Sequence, residues 1–255
     1  MSLPHFPSLL RAVLLAGAVA MSVSACATNQ TGTATPDYSG ISAQQGQETL
    51  AGWAQKYRSN PRDKTVIIHY AAALRAVGQS AQAVAVLESG MVSHGGDPAL
   101  AIAYAKALTQ EGRFEQSLQV VDNAIRPDQP DWNALLVKGA TLDQMGRNAE
   151  ARALYAQALT IAPGEASIEA NLGLSYAMTN DLGSAEQHLR RAVQMRGANS
   201  KIRQNLALIV GLQGRFEEAQ ALYAAELPPE QVQSNMAYVR SMLTQGNRWT
   251  AVAQQ

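Results

Sequence analysis

Residues 132–165 read WNALLVKGATLDQMGRNAEARALYAQALTIAPGE, and Gly146 within that stretch sets the frame for the whole chain. The apolar-periodic run ATLDQMG ends on it, and a helix that stops on glycine uses the freedom of that residue to adopt a positive φ. Steps of 34 residues from Gly146 reach Gly112 and Gly78 in one direction and Asn180 and Gly214 in the other. Asparagine tolerates the left-handed conformation better than any other residue with a side chain, so Asn180 meets the same demand. A fixed period of this length marks an array of helix–turn–helix units.

With that register five blocks follow without a gap: 64–97, 98–131, 132–165, 166–199 and 200–233. Small residues recur at the eighth place (Ala71, Ala105, Gly139, Gly173, Ala207) and at the twentieth (Ala83, Ser117, Ala151, Ala185, Ala219). Large residues alternate with them at the eleventh (Leu74, Leu108, Leu142, Tyr176, Val210) and twenty-fourth (Leu87, Val121, Tyr155, Leu189, Tyr223). Small faces large across two antiparallel helices, and stacked units bury a core that no single unit could form. Residues 46–63, with Trp53 and Pro61 on the lattice, read as an N-terminal capping helix. Pro228-Pro229 marks a slip in register, after which Val232 to Leu243 reads as a terminal helix, and 234–255 form the C-terminal capping helix and tail. The expected fold class is all-α.

This pattern resembles the tetratricopeptide repeat, most fully in 132–165 with Pro163 near the end of the block. The resemblance implies a right-handed α-solenoid of about five repeats, with the first helix of each lining a concave groove. Carried over place by place, it puts Ile68, Ile102, Lys106, Leu136, Leu174, Met178, Lys201, Gln204, Leu208 and Leu212 in that groove, together with Arg75 and Asp143. Asn171 and Asn205, at the sixth place, are candidates to bond a bound peptide backbone, or are simply consensus residues there. A grip on a carboxylate needs several Lys, Arg and Asn residues converging, and only Lys106 and Lys201 approach that role in sequence. The expected ligand is therefore an apolar helix or extended segment docked by side-chain burial. The alternative is that part of the groove packs against the chain's own tether or terminal helix.

Cys26 is the single cysteine, so neither an intramolecular disulfide nor a paired-cysteine zinc site is open to it. Before it come Arg11 and an apolar run from Ala12 to Val23, too short to span a membrane, and then Val23-Ser24-Ala25. Residues 1–25 read as a signal peptide that resembles a bacterial lipobox, the other possibility being an ordinary secreted protein with a chance cysteine. The lipobox resemblance implies cleavage before Cys26, its lipidation, and, with Ala27 rather than Asp following, retention at the periplasmic face of the outer membrane. Residues 26–45 are the lipidated cysteine and a Thr/Ser/Gly/Gln-rich tether expected to stay disordered.

Without the signal the chain carries 19 basic residues (20 less Arg11) against 20 acidic ones and few aromatics, which argues against a nucleic-acid partner. His69, His94 and His188 occupy unrelated lattice places, and no zinc-binding HExxH or phosphate-binding glycine loop occurs. No catalytic residue, metal, cofactor or small-molecule substrate is expected. The lipobox, tether, Trp53 before NPRD, LIVGLQGRFEEAQALY and the closing SNMAYVRSML together resemble the TadD-type lipoproteins of the tight-adherence (Flp-type) pilus assembly system. That resemblance implies a pilotin-like scaffold for an outer-membrane secretin or another pilus-assembly component. An adaptor that recruits a periplasmic protease or cell-wall hydrolase is the alternative.

Overall fold

The computed structural model describes residues 36–38, 41–126 and 128–253. The signal peptide, Cys26 and most of the tether lie outside the described residues. Twelve α-helices account for nearly all of what is described: α1 (Ala43–Ser59), α2 (Lys64–Ala76), α3 (Ser80–Ser93), α4 (Pro98–Gln110), α5 (Phe114–Ala124), α6 (Trp132–Gln144), α7 (Asn148–Ile161), α8 (Ala166–Met178), α9 (Leu182–Gln194), α10 (Ser200–Leu212), α11 (Phe216–Ala224) and α12 (Pro229–Ala253). The helices α2, α4, α6, α8 and α10 start at Lys64, Pro98, Trp132, Ala166 and Ser200, the first residues of the five blocks.

Four of these five starts have a side-chain cap. Asp63, Asp97, Asp131 and Asn199, one residue ahead of α2, α4, α6 and α10, each accept a backbone N–H of the first turn, a cap worth about 1 kcal/mol. Each stop also has a local cause. Gly78, Gly112, Gly146 and Gly214 have φ between 75° and 84°, and Asn180, at 60°, is the one non-glycine residue with positive φ among those described. Between stops, the small residues set how closely paired helices approach. A Cβ placed on Gly139 would lie 2.5 Å from Cε1 of Tyr155, which is fully buried, and one on Gly173 would lie 3.0 Å from the Ala185 carbonyl.

The core runs through the stack as contiguous clusters bridging neighbouring repeats. At its C-terminal end α12 covers it with Val232, Met236 and Val239, a stripe at helical spacing, and Gly211 lets Val239 approach. Both caps differ from the sequence expectation at their edges. A capping box on Ser42 and Gln45 starts α1 at Ala43, inside the stretch read as tether, and α12 begins already at Pro229, where a proline suits the first turn. Among the described residues no helix is long and apolar enough to cross a membrane.

Candidate partner-binding groove

The first helices of the repeats frame a cavity of about 870 Å³. Arg75 of α2 and Lys106 and Thr109 of α4 form one wall, Asn133, Leu136 and Ala140 of α6 the middle, and Ser167 and Asn171 of α8 with Asn199 the other wall. Of the residues placed in the groove from sequence, Lys106, Leu136, Asn171 and Arg75 line this cavity. Ile68 lines a small adjoining recess with Ala71, Ala72, Leu87 and Ala103.

The others do not meet there. Ile102 is fully buried: Ala134 and Val137 of the next repeat pack over it, so this residue is core rather than groove. Asp143 is likewise turned inward. Its carboxylate accepts from the Tyr155 hydroxyl (2.8 Å), the Ser175 hydroxyl (2.7 Å) and Asn148 Nδ2 (2.8 Å), joining two repeats through one buried anion. Leu208 and Leu212 pack partly against the C-terminal core, and Gln204 Nε2 donates to Ser200 Oγ. Leu174 and Asn205 are half-buried and Lys201 is exposed, as is Met178 at the end of α8, and none of these lines the cavity. Asn171 Nδ2 donates to the Ser167 carbonyl within its own helix, the consensus role left open for it.

The electrostatics depart from an apolar stripe. Arg75 and Lys106, from successive repeats, stand at one end of the cavity, with Gln110 bonded to Arg75 by side chain and backbone (3.0 and 3.1 Å). Burial, and next the Arg75 charge, bring the Lys106 ammonium down to about 8 against the opposing pull of Asp37 and Asp131. Burial also lowers the Arg75 guanidinium, while Asp37 acts the other way. Two cations held close in a partly desolvated site favour an anion beside them. Polar partners missed from sequence, Asn133, Ser167 and Asn199, sit at the first turn of their repeats or just ahead of it. The recurrence of Asp, Glu or Asn immediately before each first helix was the signal that could have drawn attention to that rim.

The three histidines stand apart. His69 stacks on Trp53 with ring centroids 4.3 Å apart, His94 Nε2 lies 2.7 Å from the Arg62 carbonyl, and His188 stacks on Tyr176 with Nδ1 2.7 Å from Glu169. Among the described residues no group of three His, Cys, Asp or Glu side chains could hold a metal ion.

Models of the tetratricopeptide-repeat family match residues 39–129 and 133–165. The fold is that of a tetratricopeptide-repeat protein. A thermophilic tetratricopeptide-repeat protein of Thermus thermophilus superposes with a TM-score of 0.59 at 20% identity, over 76% of this chain and 98% of that one. A repeat protein of Parabacteroides merdae gives 0.65 at 11% identity, over 77% and 78%. These likenesses concern the solenoid alone. In sequence, the uncharacterized protein y4yS of Sinorhizobium fredii is 39% identical over 114 residues, which are 45% of this chain and 60% of the relative. The match thus spans 60% of the curated relative, less than two thirds of its length. Tetratricopeptide repeats are typical of protein–protein interaction scaffolds.

Proposed function

We propose that this tetratricopeptide-repeat protein is a non-enzymatic scaffold, lipid-anchored through Cys26 at the periplasmic face of the outer membrane, that holds a segment of a pilus-assembly component, a secretin first among them. The observation that carries the binding part is the cavity between Arg75, Leu136 and Asn171, which has the size for several residues of an extended chain and offers charge, amide groups and apolar wall together. The resemblance of SNMAYVRSML and the repeat before it to TadD-type lipoproteins supports the pilus partner. The anchor rests on the lipobox, since acyl chains add about 0.8 kcal/mol for each methylene buried in the membrane.

The expected ligand shifts with the geometry, from a purely apolar segment to one that also carries negative charge toward Arg75 and Lys106. Affinity capture from gently solubilised envelopes tests the assignment, with Cys26→Ala to remove the anchor and Ala140→Trp to fill the cavity from a lining position. Recovery of a secretin by the native chain and its loss with Ala140→Trp is the expected result. Recovery of a protease or cell-wall hydrolase with no pilus component would overturn the pilus assignment in favour of the adaptor.

A further inference from the structure

Three consecutive residues ahead of α1 are seated on the N-terminal end of the concave face. Pro36 enters the recess formed by Ile68, Ala72 and Ala103, between α2 and α4. Asp37 lines the main cavity beside Arg75 and Lys106 and is the acidic residue common to the electrostatic surroundings of both. The Tyr38 hydroxyl lies 2.6 Å from His69 Nδ1, and the His69 ring stacks on Trp53 of α1. Proline, carboxylate and phenol therefore each meet a subsite of matching chemistry: an alanine-lined recess, a pair of cations and an imidazole held by stacking. Arg75 and Lys106 are 31 residues apart in sequence, and neither belongs to the segment they hold.

We infer that the α2/α4 end of the groove is a recognition site for an extended acidic peptide of the Pro-Asp-Tyr kind, and that residues 36–38 are its resident occupant, which a partner segment displaces. This deepens the assignment of the concave face as a protein-binding groove and rests on it. A segment joined to the domain through a few residues acts at an effective concentration on the order of 1 mM, so a partner with the same chemistry must bind well to compete. Cis occupation thereby sets a threshold: a segment with only one of the three features is excluded, and one that also reaches Leu136 and Asn171, beyond the resident residues, gains contacts that the resident lacks.

The test uses the full chain and a fluorescent synthetic peptide with the sequence of residues 33–41, TATPDYSGI, read by anisotropy. The variant Asp37→Ala/Tyr38→Ala, which empties the site without touching the helices, should bind the peptide about tenfold or more tighter than the native chain. A peptide with lysine in place of its aspartate should not bind the emptied variant, and adding Lys106→Glu to that variant should abolish binding of the parent peptide while restoring some for the lysine peptide. Equal binding by native and emptied chains, or none by the emptied chain, overturns cis occupation. Binding of both peptides alike overturns charge recognition, and because that comparison changes only the peptide it stands even if Lys106→Glu fails to fold. Neither result depends on whether a secretin is captured, so the two proposals fail separately.

Discussion

The two ends of the concave face are built from the same repeat and behave differently. At the N-terminal end Arg75 and Lys106 face inward and the chain's own Pro36–Tyr38 lies across them. At the C-terminal end the places of Lys106 hold Leu174 and Leu208 and those of Arg75 hold Ala177 and Gly211, and charge is moved to the second helices, where Glu186 accepts from Arg215 and Arg190 and Glu218 pairs with the same two arginines. In one place charge is half-buried along the cavity; in the other it links α9 to α11. A repeat scaffold fixes where side chains project and leaves their chemistry free, so one solenoid carries a cavity lined by cations at one end and an ion-paired, reinforced face at the other.

The largest effect should come from cutting the joint between the ends. Asp143→Ala leaves Tyr155, Ser175 and Asn148 without their common acceptor, and each buried donor left unsatisfied costs about 1 to 3 kcal/mol. Thermal melting should fall steeply or split into two transitions; an unchanged melting temperature would remove Asp143 from its bridging role. Next is Gly139→Ala, which drives a methyl group into Tyr155 and should cost about 1 to 3 kcal/mol in chemical denaturation. Gly146→Val forces a β-branched residue to a φ of 75°, a strain of about 1 to 3 kcal/mol, with no side chain nearby to clash. Native-like stability there would show that the turn does not need its left-handed residue.

Acid should separate the ends more gently. Burial, and next the Lys56 charge, hold the His69 imidazole below its usual range. Its folded form is thus disfavoured once protonated: the contribution is complete above about 6.5 and is lost as pH falls through the lowered value. The Tyr38 hydroxyl can either donate to or accept from Nδ1, so the loss acts through the cost of charging a partly buried ring rather than through that bond. At the other end burial raises Glu186, but the hydrogen bonds from Arg215, Gln213 and Arg190 outweigh it and bring the carboxyl down to about 2. Its contribution is present above about 4.5 and is lost only as pH falls toward 2. Hydrogen exchange followed along an acid titration should show protection lost around α1 and α2 before α9 to α11; simultaneous loss would mean that the ends are not electrostatically distinct.

Much of the fold was legible because its causes are local and repeated. A turn that needs positive φ selects glycine or asparagine wherever it recurs, and a close helix crossing selects Ala, Ser or Gly wherever it recurs. The places of Gly78 to Gly214 and of Ala83 to Ala219 therefore carried the period, the helix pairs and the core. Cap edges were less legible. The capping box on Ser42 is a two-residue signal inside a polar stretch that composition alone assigns to the tether.

The groove divided along the same line. Lys106, Leu136, Asn171 and Arg75, expected on the concave face, line the cavity because helical spacing fixes direction. Whether the same lattice place is open or closed depends on the next repeat. Ile102 is sealed by Ala134 and Val137, whereas Leu136, one period later, reaches the cavity. Asp143 was drawn inward by three donors from α7 and α8. The meeting of Arg75, Lys106 and Asp37 joins two repeats and the segment ahead of α1. By itself the sequence determined an array of paired helices, since each residue type answers to its own backbone angle and its own neighbour. Only the tertiary structure decided where charge gathers and what covers it, because burial and Coulomb interaction depend on residues that the chain brings together from far apart.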